Sequence, residues 1–269
     1  GDWSSDVCSS DLLAVFIFVF GPQDLQSENE FIKDFFKNDS YSHYTKFLIL
    51  ISASLSLILG LGYFTRAKIM KFEIPVIFLL STTGMLLMVS SYDLISVYLS
   101  IELMSLPLYV LATIDRDHIQ SSEAGLKYFV LGALSSGLFL YGASLVYGIT
   151  GSTSFDNILS YRLLHKDEIN LVITFGLVFL IVGFAFKISA VPFHMWTPDV
   201  YEGSPTPVTA FFSAAPKVAA FGLLVRLLFQ AFGNDIFQWQ QIIIFLSVSS
   251  IVLGTFAAIG QKNIDRKST

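Results

Sequence analysis

The stretch FKISAVPFHMWTPDVYEGSPTPVTAFFSAAPKVAAF, residues 186–221, places Lys187, Pro192, His194, Pro216 and Lys217 in a run whose flanks are long and apolar. A proline inside a helix removes the backbone donor that would serve the carbonyl four residues earlier. In hydrocarbon that carbonyl must find another donor, so interrupted helices occur only where protein or water can reach them. The stretch therefore predicts a discontinuous membrane helix with a lysine at the break, followed by a second helix with a lysine near its centre.

The rest of the chain fits a bilayer. Of 269 residues, 54% are hydrophobic and 14% charged, against roughly 25% charged in soluble domains. About 20 apolar residues at 1.5 Å each cross a hydrocarbon core of roughly 30 Å. On that template spans fall near 45–64, 74–90, 92–113, 124–150, 170–201 (interrupted), 206–230 and 238–260. The fold class expected is all-α, a polytopic transmembrane helix bundle with one discontinuous helix. Lys and Arg in the short loops favour 65–73, 114–123, 198–205 and the C-terminus on the cytoplasmic or matrix side, with 21–44, 151–169 and 231–237 opposite.

Several classes are set aside. A net charge of −5 without basic runs gives no nucleic-acid surface. The single cysteine, Cys8, excludes an internal disulfide, and four scattered histidines assemble no metal set. No Gly-rich dinucleotide fingerprint or cluster-binding cysteine set is present. Residues 1–11 run abruptly into the short apolar segment Leu12–Phe20, and with 265–269 they read as foreign to the natural protein. Gly132–Gly151 repeats small residues at spacings of four or five, a helix-packing pattern.

An ionisable group near mid-span costs about 2.5–3.5 kcal/mol and normally faces a protein interior or hydrated cavity. Glu102, Lys187 and Lys217 are such groups, with Lys127 nearer a span end. Each of the first three has a proline beside it: Pro107 frees the carbonyl of Leu103, Pro192 that of Ile188, and Pro216 that of Phe212. A buried lysine with a mobile carboxylate nearby can hold or release a proton. Two unit charges about 4 Å apart at an effective dielectric of about 20 interact by roughly 4 kcal/mol, enough for that purpose. Glu102 is thus expected to modulate Lys187, with Lys217 receiving the proton through water. His194 either relays protons or caps carbonyls at the break. Asp199 and Glu202 fall in a Pro/Gly-rich stretch expected to be a loop, where capping and solvation explain them.

These residues carry a resemblance. The 186–221 stretch resembles the broken-helix signature of the antiporter-like membrane subunits of respiratory complex I, NADH:quinone oxidoreductase. EAGLKYFVLGALSSGLFLYGASLVYG (123–148), followed by GSTSF, resembles the subunit N (subunit 2) branch more than the M and L branches, and YLSIELMSLPLYVLA (98–112) fits it too. The resemblance covers roughly 12–264. It implies a fold of about fourteen helices with two inverted five-helix repeats: N-terminal helices over 12–73, the first repeat over 74–230, and the start of the second over 231–264. It matches Glu102, Lys127, Lys187, His194 and Lys217 to proton-translocating positions. QKNI (261–264) departs from the family by running into DRKST.

The implied function is a proton-translocating membrane-arm subunit, with no catalytic residue, metal or cofactor of its own. NADH, FMN, Fe–S clusters and quinone would be bound by partner subunits. Its partners would be other membrane-arm subunits and the lipid bilayer, in a bacterial inner membrane or, if organelle-encoded, the mitochondrial one. The alternatives are a subunit of a multisubunit cation/proton antiporter of the same fold, and a scaffold subunit whose buried charges only fix helix register.

Overall fold

A computed structural model describes residues 34–67, 69, 73–165 and 170–261. Residues 1–11, Leu12–Phe20, Lys68, Lys71, Lys166, Lys262 and 265–269 lie outside the described residues. The architecture is helical: α1 (Ser40–Arg66), α2 (Glu73–Ser90), α3 (Leu94–Ala112), α4 (Ile119–Thr150), α5 (Phe155–Leu164), α6 (Leu171–Lys187), α7 (Thr197–Gly203), α8 (Thr206–Arg226) and α9 (Ile236–Gly260). A π-turn, Leu227–Ala231, extends α8. Among the described residues six helices are long and apolar enough to cross a membrane; α6, at 17 residues, is shorter. The predicted spans are present within a few residues. The addition is α5, in the segment expected to be only a polar loop.

Several serines within the spans are satisfied locally. Ser52, Ser54 and Ser56 of α1 each donate to the carbonyl four residues back, at 2.6–2.8 Å. Helix starts are marked by side-chain caps: Asp39 accepts from Ser42 N, Asp93 from Ile95 N and Ser96 N, and Asn170 from Val172 N. The outward face is apolar, with Leu55, Ile58, Leu59 and Phe175 exposed. Such a surface is stable only in lipid or against other protein.

Close backbone approach is confined to particular glycines. A Cβ on Gly84 would lie 2.4 Å from Met104 N, so α2 presses directly on α3 beside Glu102. Gly142 meets the Gly176 carbonyl in the same way, joining α4 to α6, and this is the helix packing expected of the 132–151 pattern. In contrast, Gly137 and Gly148 face open space.

The loops gather at two ends. At one end, Tyr92 N donates to Phe35 O, Leu94 N to Thr153 O and Phe155 N to Tyr92 O, bringing 35–37, 90–94 and 153–155 together. Two buried arginines brace this end. Arg162 of α5 donates through Nε and Nη2 to both carboxylate oxygens of Asp235, and Arg226 donates to Asp39 at 2.5 Å. At the other end α7 packs on the start of α4, with Gly203 against the Gln120 carbonyl. This is the grouping expected from the charge distribution of the loops.

Candidate proton-transfer site

Lys187 is the last residue of α6 and is 6% exposed. Its ammonium donates to Ser105 Oγ at 2.7 Å. Ser105, fully buried on α3, spends its own proton on the Ile101 carbonyl at 2.6 Å, which leaves an oxygen lone pair for the lysine. Glu102 lies three residues before Ser105 on the same helical face. Its Oε1 is buried without a protein hydrogen-bond partner, and its charge reaches Lys187 electrostatically. The carboxylate and the lysine are thus neighbours without a direct ion pair among the described residues. Serine was missed in the sequence, although its i+3 spacing from Glu102 was a usable signal.

The break differs from expectation. Pro192 does not lie inside a helix, because α6 already stops at Lys187, and the non-helical link 188–196 carries a cis Val191–Pro192 bond. Termination comes instead from a backbone motif in which Ser189 N donates to Phe186 O and Ala190 N to Ala185 O, with Ser189 in the left-handed region at φ 61°. The Phe186 carbonyl also accepts from Trp196 Nε1 at 3.1 Å. Trp196 therefore provides the side-chain cap offered as one role for His194, whose Nδ1 is buried without a partner. Ser250 of α9 completes the link by accepting from Val191 N. The prolines at 107 and 216 do sit inside α3 and α8.

Lys217 is half-buried on α8 beside an open groove of about 400 Å³ that α8 forms with Tyr41, Tyr44 and Thr45 of α1. On its inner side the ammonium lies 5.4 Å from the centre of the Tyr201 ring. Lys127 is remote from both other lysines in its bonding: it pairs with Glu123 at 2.8 Å and with Asp199 at 2.7 Å at the mouth of a polar cleft of about 220 Å³. Asp199 and Glu202 are not loop residues, since 197–203 is the short helix α7. Asp199 ties that helix to α4, a contact 72 residues apart in sequence that no local pattern announces. Among the described residues no cluster of His, Cys, Asp and Glu could hold a metal ion.

The site is thus Glu102, Ser105 and the buried Lys187 at a helix break, Lys217 on the next span, and further buried polar atoms that make no protein hydrogen bond: Tyr109 Oη, Ser189 Oγ and Tyr201 Oη. Buried polar atoms are rarely unpaired in folded proteins, and ordered water is the usual partner. Such a set can move protons by exchange between titratable groups.

The family described as NADH:quinone oxidoreductase/Mrp antiporter, TM, matches residues 91–267. NADH-quinone oxidoreductase subunit N 1 of Rhizobium meliloti is 58% identical over 231 residues, covering 86% of this chain and 48% of the relative. Subunit N of Methylobacterium nodulans is 50% identical over 255 residues, 95% of this chain and 52% of the relative. The chain spans about half the length of the curated relatives it matches. Among solved structures, a chain of respiratory complex I from Thermus thermophilus superposes with a TM-score of 0.74 at 32% identity, covering 97% of this chain and 53% of that one. A chain of the Mrp complex from Dietzia sp. shares the fold, with a TM-score of 0.73 at 21% identity over 96% of this chain and 48% of that one. The chain belongs to the NADH:quinone oxidoreductase/Mrp antiporter transmembrane family.

Proposed function

We propose that this chain is part of a proton-translocating membrane-arm subunit of NADH:quinone oxidoreductase, of the subunit N type. Residues 74–230 make up its first five-helix unit, with 12–73 before it and 231–264 after it. The observation that carries the proposal is Lys187, a buried amine at a helix break, held by Ser105 one turn from the Glu102 carboxylate, with which it forms no direct ion pair among the described residues. Relatives named subunit N, at 50–58% identity, support this reading over the antiporter one.

In this reading Glu102, Lys187 and Lys217 pass protons while NADH oxidation and quinone reduction take place in partner subunits that hold the FMN and Fe–S clusters. Movement of the Glu102 carboxylate toward Lys187 favours the charged lysine, and movement away favours release. His194 and Lys127 are auxiliary: His194 borders the break, and Lys127 fastens α7. The end that carries 114–123 and 198–205 faces the cytoplasm or matrix.

The test is NADH-driven proton pumping in membrane vesicles carrying the full-length parent with Lys217→Ala, with quinone reductase activity and assembly measured in parallel. Loss of pumping and coupled turnover in an assembled complex is expected. Normal values of both would make the lysine structural. Activity that follows Na⁺ or K⁺ gradients without NADH would favour the antiporter reading instead.

A further inference from the structure

Between Lys187 and Lys217 the interior is occupied by aromatic rings in continuous contact. The Lys187 ammonium is 5.9 Å from the centre of the Tyr109 ring. Tyr109 meets Tyr128 edge-on at 4.7 Å, and Tyr128 stacks on Trp196 at 4.4 Å with an interplanar angle of 8°. Trp196 meets Tyr201 at 6.4 Å, and Tyr201 carries the Lys217 ammonium 5.4 Å from its ring centre. Three of these four rings bear a hydroxyl. Those of Tyr109 and Tyr201 are buried and make no protein hydrogen bond, and the Tyr128 ring is in contact with both Tyr109 and Trp196.

The surroundings hold these tyrosines in place. The Tyr109 hydroxyl fills the notch left by Gly132, where a Cβ would fall 2.0 Å away. Trp196 is tethered to the Phe186 carbonyl at the helix break, so the ring on which Tyr128 stacks is anchored to the residue next to Lys187. Phe212, whose carbonyl Pro216 leaves free, packs against Tyr128 at 5.7 Å from the other side. A phenol both donates and accepts, so it can pass a proton on without holding a charge. A row of packed hydrocarbon would give the same stacking without burying hydroxyls that lack hydrogen-bond partners.

We propose that the hydroxyls of Tyr109, Tyr128 and Tyr201, joined by water, are the proton relay between Lys187 and Lys217. This rests on the proton-translocating reading above. In one transfer the Lys187 ammonium gives a proton to the nearest oxygen of the row. Each oxygen releases its own proton to the next, and the neutral Lys217 amine accepts the last. The tyrosines end as neutral phenols and the net change is one proton moved between two amines.

The experiment uses the full-length parent in its assembled complex, in vesicles, with Tyr109→Phe, Tyr128→Phe and Tyr201→Phe beside Lys187→Ala and Lys217→Ala. Phe keeps each ring and removes one oxygen. The relay predicts that the Phe variants assemble normally, pump roughly tenfold or more slowly, and show a larger H₂O/D₂O ratio in coupled turnover than the parent. A purely packing role, which Phe preserves, would leave assembly, pumping rate and that ratio unchanged. If the lysine variants fail to pump while the assembled Tyr109→Phe and Tyr201→Phe variants pump at parental rates, the relay is wrong and the proton-translocating reading stands. If the lysine variants also pump normally, that reading falls and the relay with it. Should one Phe variant fail to assemble, the remaining two decide by the same criteria.

Discussion

Ser105 accepts a hydrogen bond from the ammonium of Lys187, so removing the hydroxyl strands a buried donor. Ser105→Ala is expected to destabilise the parent protein by about 1–3 kcal/mol and to lower pumping, read as a fall in melting temperature in detergent together with slower acidification of vesicles. An unchanged melt and rate would remove serine from the site. The Arg162–Asp235 pair makes a larger prediction, because both side chains are 6% exposed and the contact is two-pronged. Arg162→Ala leaves Asp235 buried without its partner and should cost about 3–5 kcal/mol, measured as loss of folded protein on thermal unfolding. At this scale Glu102, Lys187 and Lys217 were legible in the sequence because charge at membrane depth is costly. Ser105 was not, because serines are common in these helices and its partner is 82 residues away.

Helices decide where those residues meet. Gly84 lets α2 touch the α3 backbone at Met104, so Gly84→Ala must push the two helices apart at the level of Glu102, whereas Gly148 faces open space. Gly84→Ala should lower both stability and assembly, while Gly148→Ala should be neutral or stabilising by up to about 1 kcal/mol; parallel melting curves of the two variants check the contrast. The α6 break makes a second prediction. Ser189 sits at φ 61°, where glycine has no penalty and a β-branched residue is disfavoured. Ser189→Gly should therefore keep assembly, and Ser189→Val should reduce it, as seen in the amount of complex in membranes. The spans themselves could be read from apolar run length. The break could not be placed correctly because Pro192 is the conspicuous residue, whereas a serine in a left-handed turn ends the helix three residues earlier. The segment 155–164, FDNILSYRLL, has no long apolar run, and its helix owes its place to Arg162 and Asp235.

Over the whole molecule, the packing brings one charged or polar element from each of α3, α6 and α8 into a common interior, and α4 supplies Tyr128 between them. The loops at each end fall together as the Lys and Arg distribution suggested, whereas the tie between α4 and α7 through Lys127 and Asp199 depends on a pairing that local sequence cannot announce. The α9 helix buries only Trp239 and Leu246 among its residues, so most of its apolar surface lies open to lipid or other protein. In this account the Glu102 carboxylate controls the lysine at the break. That control is tested most directly by NADH-driven proton pumping in vesicles containing the full-length parent with Glu102→Gln, a change that removes the charge and keeps the shape. Pumping reduced to roughly a tenth or less of the parental rate in a fully assembled complex is the predicted result; parental pumping in that complex would contradict the account.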